Sequence, residues 1–241
     1  MNGIEQDMFD FIDRCPDYRT TGPILADLMQ NARRVGFECL IFSGIPLPGE
    51  ALEPLVELNG WPAGWFERYV QGGYADIDAV CRHSRDTTRP FFWHEVPERS
   101  FSLAQARRVA NEAIEFGLRD GYLVPAYSRR HWHALMSFSS PEKRLHLSSR
   151  ERIAVNLMAM VTISAVETLR SEQDRDRLLS PREREVLQWA AIGKTADEIG
   201  DILNISTATV RKHLQNVRQS YGVSSTLAAV ALALQRKHIR L

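Results

Sequence analysis

The chain has 241 residues, 44% hydrophobic and 25% charged, enough to bury the cores of two domains without disulfide staples. Thirty Lys and Arg balance thirty Asp and Glu, but from Leu178 onward nine bases face five acids. That net +4 leaves −4 on the preceding part and points to an anionic partner for the C-terminal segment alone.

No run of about eighteen apolar residues occurs, so no membrane span is expected. The acidic start, MNGIEQDMFDFIDR, does not resemble a signal peptide. Cys15, Cys39 and Cys81 lack pair spacing and read as reduced thiols of a cytoplasmic protein.

In chain order, Pro23 suits a first helical turn and Gly36 a stop, which predicts a helix between them. Glu38–Ile45, ECLIFSGI, reads as a buried strand, with Leu55–Leu58 beside it. Pro62 opens a second helix, on which Trp65 and Tyr69 stand four apart and share a face. Ser102 and Gln105 fit a capping box for a helix running to about Gly117, with Phe101 as its staple. Strands follow at Tyr122–Tyr127 and roughly Trp132–Phe138.

Ser148 and Glu151 cap a long apolar helix, ERIAVNLMAMVTISAVETL. Ile153, Leu157, Met160, Val161 and Ser164 lie on more than one of its faces, so one face can cover a sheet and another meet a second subunit. A few strands with helices on both sides predict an α/β/α sandwich with a mostly antiparallel sheet over residues 1–169. Arg170–Arg177, RSEQDRDR, keeps no apolar face and reads as a linker, 170–177, with a frayed helix end.

Residues 178–241 predict an all-α four-helix domain, so the whole chain is α+β. Ser180, Pro181 and Glu183 combine an N-cap, a first-turn proline and a capping-box acid, and the helix they open stops at Gly193. Thr195 and Glu198 repeat the box for ADEIGDIL, Asn204-Ile205 makes the turn, and Ser206 caps TATVRKHLQNVRQSY. A fourth helix is expected over Thr226–Lys237. On the third helix Val210, Leu214 and Val217 share an inward face, while Ala208, Arg211, Lys212, Gln215 and Gln219 share the opposite one. That outer face has no acid. Arg can bind guanine and Gln adenine through paired hydrogen bonds, and Lys suits a phosphate. Thr207 and Thr209, at the start of this helix, are assigned to DNA as well.

The segment LSPREREVLQWAAIGKTADEIGDILNISTATVRKHLQNV resembles the LuxR/FixJ-type DNA-binding domain, with Glu183, Leu187 and Gly193 at its signature places. The resemblance implies a dimer on a two-fold symmetric operator, working with RNA polymerase, and puts Arg211 and Gln215 at base-reading positions. His213 lies toward the core side and reads as structural.

Upstream, WPAGWFERYVQGGYADIDAVCRHSRDTTRPFFW resembles the autoinducer-binding domain of LuxR-type receptors at Trp65, Tyr69, Asp78 and Trp93. GLRDGYLVP and Ser137 continue the pattern. The implied ligand is an acyl-homoserine lactone. By that resemblance Trp65 donates to the lactone carbonyl, Asp78 accepts the amide N–H, and Tyr69 and Ser137 donate to or line the acyl carbonyl. Trp93 walls the lactone, and Trp61 stands where some relatives have another donor.

Two departures stand out: Ala79 follows Asp78 where the family has proline, and Ala134 replaces a small glycine after the bulky His131-Trp132-His133. Asp76 is a lower-ranked rival acceptor. Alternation puts His133, Leu135 and Ser137 on one strand face and Ile41, Ser43 and Ile45 inward on the facing strand. The added bulk suggests a short, branched or aryl acyl group.

An enzyme is the rival class. His131 and His133 could share a strand face for a metal, but no third ligand is evident, and Cys81 with His83 fits no nucleophile motif. The expectation is therefore no enzyme, no metal and no cofactor. A LuxR-type regulator that is ligand-independent, or that senses a non-lactone molecule, is the alternative.

Overall fold

The computed structural model describes residues 3–128, 131, 133–173, 179–236 and 238–239. Contacts divide the chain into two compact units, Met1–Leu169 and Arg170–Leu241.

The first unit is built on β1 (Cys39–Gly44), β2 (Val56–Asn59), β3 (Phe91–Phe92), β4 (Asp120–Tyr127) and β5 (His133–Ser140). They form one sheet in the order β2-β1-β5-β4-β3, and every pairing is antiparallel. Helices α1 (Gly3–Arg14), α2 (Thr21–Arg33) and α6 (Ser149–Gln173) cover one face. There Phe11, Leu28, Val155 and Met158 meet Leu40, Phe42, Met136 and Phe138 in a closed apolar core. Helices α3 (Ala63–Gln71), α4 (Ala79–Arg85) and α5 (Ala104–Glu115) cover the other face, where Trp65, Tyr69, Val109 and Ala113 cluster. The layering is the expected α/β/α sandwich.

Local departures have local causes. Helix α2 begins at Thr21, so Pro23 sits inside its first turn, where a missing N–H costs nothing. The Ser102–Gln105 box does not form. Ser102 closes the preceding 3-10 turn Glu98–Phe101 in a helical conformation, so Leu103 takes the N-cap place, without a side-chain bond. The Ser148–Glu151 box does form, with reciprocal bonds of 2.7 and 3.2 Å.

By length and composition α6 could cross a membrane, although no long uninterrupted apolar run flags it. Ala154, Val155, Met158, Ala159 and Val166 pack it onto the sheet instead. It runs through Gln173 and so takes in the first four residues of the charged run read as linker; the rest of that run, 174–177, lies outside the described residues, as does Trp132 at the expected start of β5.

The second unit comprises α7 (Pro181–Ala191), α8 (Ala196–Leu203), α9 (Thr207–Tyr221) and α10 (Thr226–Gln235). Helix α10 ends two residues before the expected Lys237, which is itself outside the described residues. Both capping boxes of this unit, Ser180–Glu183 and Thr195–Glu198, are complete. Hydrogen bonds from the Thr195 amide and hydroxyl and an ion pair with Lys194 hold the Glu198 carboxyl down at about 2.

Candidate ligand cavity and DNA-reading face

Between the sheet and α3–α5 lies a cavity of about 380 Å³. All nine residues proposed from sequence as ligand contacts border it: Ile41, Ser43, Trp61, Trp65, Tyr69, Asp78, Trp93, Leu135 and Ser137. Ile41, Leu135 and Ser137 share this face because side chains alternate along a strand; Met136 and Phe138, one step away, belong to the opposite core.

Asp78 organises the polar end. It is the N-cap of α4, where its Oδ1 accepts the Val80 amide at 2.9 Å. Ala79 takes the first helical position without disturbing that cap. The other oxygen, Oδ2, accepts the Tyr69 hydroxyl at 2.9 Å and so joins α3 to α4. Burial pushes the Asp78 carboxyl above the usual carboxylate range, against the lowering effect of these bonds. Burial and the adjacent carboxylate push Tyr69 well up, and burial takes the Cys81 thiol up to about 12. The Cys81 thiol is therefore not poised for nucleophilic work at neutral pH. Asp76 accepts the Gly49 amide, stands near Arg85 and does not line the cavity.

An aromatic group closes over the cavity. Trp61 lies edge-on to Tyr69 at 5.1 Å, Trp65 is 5.6 Å from the same ring, and the Trp61 Nε1 is buried without a hydrogen-bond partner among the described residues. Trp93 donates its Nε1 to Ser137 Oγ at 3.2 Å. Gly121 makes room for that indole: a Cβ there would lie 2.5 Å from Trp93 and 2.4 Å from the Phe138 carbonyl. At the rim His94 Nδ1 meets the buried Asp120 carboxylate at 2.6 Å, and the Leu145 amide bonds the same oxygen at 2.9 Å.

Two expectations change. His133 and Ile45 do not reach the cavity; they line a separate depression toward one end of β5, where His133 lies edge-on to Tyr127. His131 precedes β5, so strand alternation does not place it beside His133. It turns to Glu57 instead, at 2.8 Å, with both side chains buried. Among the described residues no group of three His, Cys, Asp or Glu could hold a metal ion.

Sequence reasoning missed Leu52, Cys81 and Leu118 as lining residues, and the pair Val109 and Ala113, whose spacing of four on an amphipathic helix was a usable signal. Nothing local flags His94 and Asp120, which meet across 26 residues of chain.

In the second unit α8 and α9 are joined by a left-handed Asn204 (φ 52°). Gly200 admits the chain closely there, since a Cβ would lie 2.8 Å from the Ile205 carbonyl. Val186, Ile199 and Val210 are fully buried under this turn, and Val217 belongs to the neighbouring cluster. Arg211, Lys212, Gln215 and Gln219 are exposed, and their side chains make no hydrogen bond among the described residues. Thr207 and Thr209 are half-buried and partly engaged within the domain: Thr207 Oγ1 donates to Asp197 at 2.7 Å, and Thr209 Oγ1 meets Ser206 Oγ at 2.8 Å. Half-buried His213 has a buried Nδ1 without a partner among the described residues.

A sandwich with a cavity between its sheet and one helical layer, in one chain with a helix-turn-helix bundle, defines a ligand-binding transcriptional regulator. Residues 23–169 match the autoinducer binding domain, and residues 177–233 match the bacterial regulatory proteins of the luxR family. The chain belongs to the LuxR family of regulators and is not an enzyme.

Among its relatives, the transcriptional activator protein BjaR1 of Bradyrhizobium diazoefficiens is 34% identical over 235 residues, covering 97% of this chain and 96% of BjaR1. The quorum sensing-dependent regulator RpaR of Rhodopseudomonas palustris is 38% identical over 207 residues, covering 86% and 84%. The crystal structure of Escherichia coli SdiA shares the fold with a TM-score of 0.79 at 21% identity, covering 97% of this chain and 98% of that one.

The buried Asp78 gives a pH-dependent prediction. Its pKa is raised on folding, so its stabilising contribution is full below the unfolded value of about 3.9 and is lost as pH rises through the folded value. Above that folded value the ionised group is a net cost to the ligand-free protein. Asp78→Asn keeps a good N-cap. It should leave the ligand-free melting temperature at pH 7 unchanged or raised while weakening ligand response about tenfold or more, the loss of a charged hydrogen bond. Thermal denaturation beside a reporter dose–response measures both.

Proposed function

We propose that this protein is a ligand-gated regulator of quorum sensing that binds an acyl-homoserine lactone in the 380 Å³ cavity. The observation that carries the reading is the polar end of the cavity: a buried acceptor, Asp78, surrounded by the donors Trp61, Trp65 and Ser137 in apolar walls. An acylated lactone offers the complement, one amide N–H and two carbonyl oxygens. Each would cost about 1–3 kcal/mol if buried without a partner. Asp78 takes the amide N–H, Trp65 donates to the lactone carbonyl and Ser137 to the acyl carbonyl. Trp93 walls the ring. Leu135 narrows the acyl side, which favours a short, branched or aryl group over a long straight chain. His133 no longer contributes to that argument, and Leu135 and Ile41 carry it.

Residues 1–169 act as sensor and dimerisation domain, and residues 178–241 as reader. Helix α6 supports a homodimer: Ile153, Leu157 and Met160 are exposed at helical spacing, with 57%, 37% and 63% of their surfaces open. Two reading heads suit a two-fold symmetric operator. The setting is the cytoplasm, with RNA polymerase as partner.

Mass spectrometry of small molecules extracted from protein co-expressed with a lactone synthase tests the gated reading. A stoichiometric acylated lactone is expected; soluble, stable protein with no bound molecule would defeat it. On DNA, Arg211→Ala should cost about 1–3 kcal/mol at the specific site and relax discrimination at one base pair. Lys212→Ala should weaken binding to every duplex and flatten its salt dependence. Equilibrium titrations on specific and random duplexes separate the two. Met160→Lys should shift the ligand-bound protein from dimer to monomer by light scattering, because a charge replaces apolar surface at the most exposed residue of the stripe.

A further inference from the structure

A polar contact at the first turn of α9 ties it to α8 and has no part in the DNA contacts proposed above. Thr207, Arg211 and Gln215 stand at intervals of four and form one row along α9. Arg211 and Gln215 are exposed, while Thr207, at the N-terminal end of the row, is half-buried. Its Oγ1 donates to Asp197 Oδ1 on α8 at 2.7 Å. Asp197 is itself exposed, and its other oxygen, Oδ2, makes no hydrogen bond among the described residues. The neighbouring acid, Glu198, differs, because the Thr195 cap and Lys194 occupy it.

A threonine hydroxyl has one proton to give. With that proton committed to Asp197, Thr207 can only accept. An ionised carboxylate accepts only, as well. The N-terminal end of the row therefore presents two acceptors and no side-chain donor, beside an arginine that only donates. A phosphate is the wrong partner for it, since anionic oxygens would face a carboxylate. In the major groove the only donors are adenine N6 and cytosine N4; guanine O6 and N7, adenine N7 and thymine O4 all accept. The N-terminal residues of a recognition helix are the ones that meet base edges. Four residues of α9 separate Thr207 from Arg211, about 6 Å along the axis, or roughly two base steps of about 3.4 Å.

Resting on the assignment of α9 as the base-facing helix, we infer that Asp197 and Thr207 together read an exocyclic amino group, on adenine or cytosine, within about two base pairs of the base read by Arg211. Each base pair carries one such amino group in the major groove, on its adenine or its cytosine. The two residues therefore select which strand holds the amino group and do not separate adenine from cytosine. On the contacted strand this operator position accepts A or C and rejects G or T. Asp197 sets the polarity of Thr207, because without it the hydroxyl is free to turn and donate.

The test selects bound duplexes from a randomised library with the full-length protein, co-expressed with a lactone synthase. Affinities are then measured for the enriched duplex and all its single-base-pair variants. Arg211→Ala marks the position that Arg211 reads. Within about two base pairs of it, the parent should prefer A or C over G or T by about tenfold. In Asp197→Ala that ratio should fall to about one. In Asp197→Asn the side-chain oxygen can still accept from Thr207 while the amide NH2 faces the base, so the preference should move toward G or T. Both variants should keep the parent's preference at the Arg211 position, which a general loss of fold would not allow.

A parent that is indifferent between amino and keto bases at those positions, or prefers the keto ones, overturns the inference, and this arm needs no Asp197 variant to fold. A preference that survives both substitutions of Asp197 unchanged overturns it as well. So does tighter binding of Asp197→Ala to every duplex alike, which would put the carboxylate beside phosphate. Each of these results leaves Arg211 standing as a base reader. A parent that enriches no sequence, or discrimination untouched by Arg211→Ala, would sink the assignment of α9 and the inference together.

Discussion

Side chains alternate along β1, β5 and β4, and the two faces of this sheet meet different fates. One face is filled: Leu40, Phe42, Met136 and Phe138 are buried with the apolar sides of α1, α2 and α6. The other is roofed by short helices that do not fill it, and the space left is the cavity. Every cavity-facing strand residue owes its position to this parity, since a slip of one residue would exchange Ser137 for Phe138 and close the cavity. The packed face makes such a slip costly, because the large side chains Phe42 and Phe138 would have to leave it.

The roof is held by polar bonds as much as by packing. Asp78 caps α4 and accepts from Tyr69 on α3, so one carboxyl sets the spacing of two roof helices. The group is strained electrostatically, as its raised pKa records. A ligand N–H at this carboxyl would relieve part of the cost of its ionised form. On the proposed reading, binding and stability would be coupled through the same atom, by mass action. Trp93 completes the wall from the opposite edge. It is fixed by Ser137 and by the missing side chain of Gly121, and anchored beside the His94–Asp120 contact.

The reading domain follows a more local logic. Three side-chain caps, at Ser180, Thr195 and Ser206, start its first three helices, and Asn204 and Gly222, both left-handed, stop two of them. With the ends of the helices set by short-range bonds, the inward faces need only match in size. Val186, Ile199 and Val210 meet under the turn, and α9 presents cations and amides outward as a consequence.

How much could be read in advance tracks these two logics. Caps, stops and periodic faces are written in adjacent residues, so the sequence alone determined the four C-terminal helices, the outer face of α9, the sandwich architecture and, with the family resemblance, the residues around Asp78. Tertiary structure decided the rest. The Ser102 box failed because a neighbouring turn had already claimed Ser102's backbone. His131 turned to Glu57 because it precedes the strand whose alternation would have governed it. Leu118 entered the cavity wall, and Asp120 met His94, through contacts between segments far apart in the chain. Above all, the register that pairs Ser137 with Ile41 and Ser43 with Leu135 emerges only when the strands assemble. Backbone pairing between distant segments is set by the packing of both sheet faces at once, and no single stretch of residues encodes it.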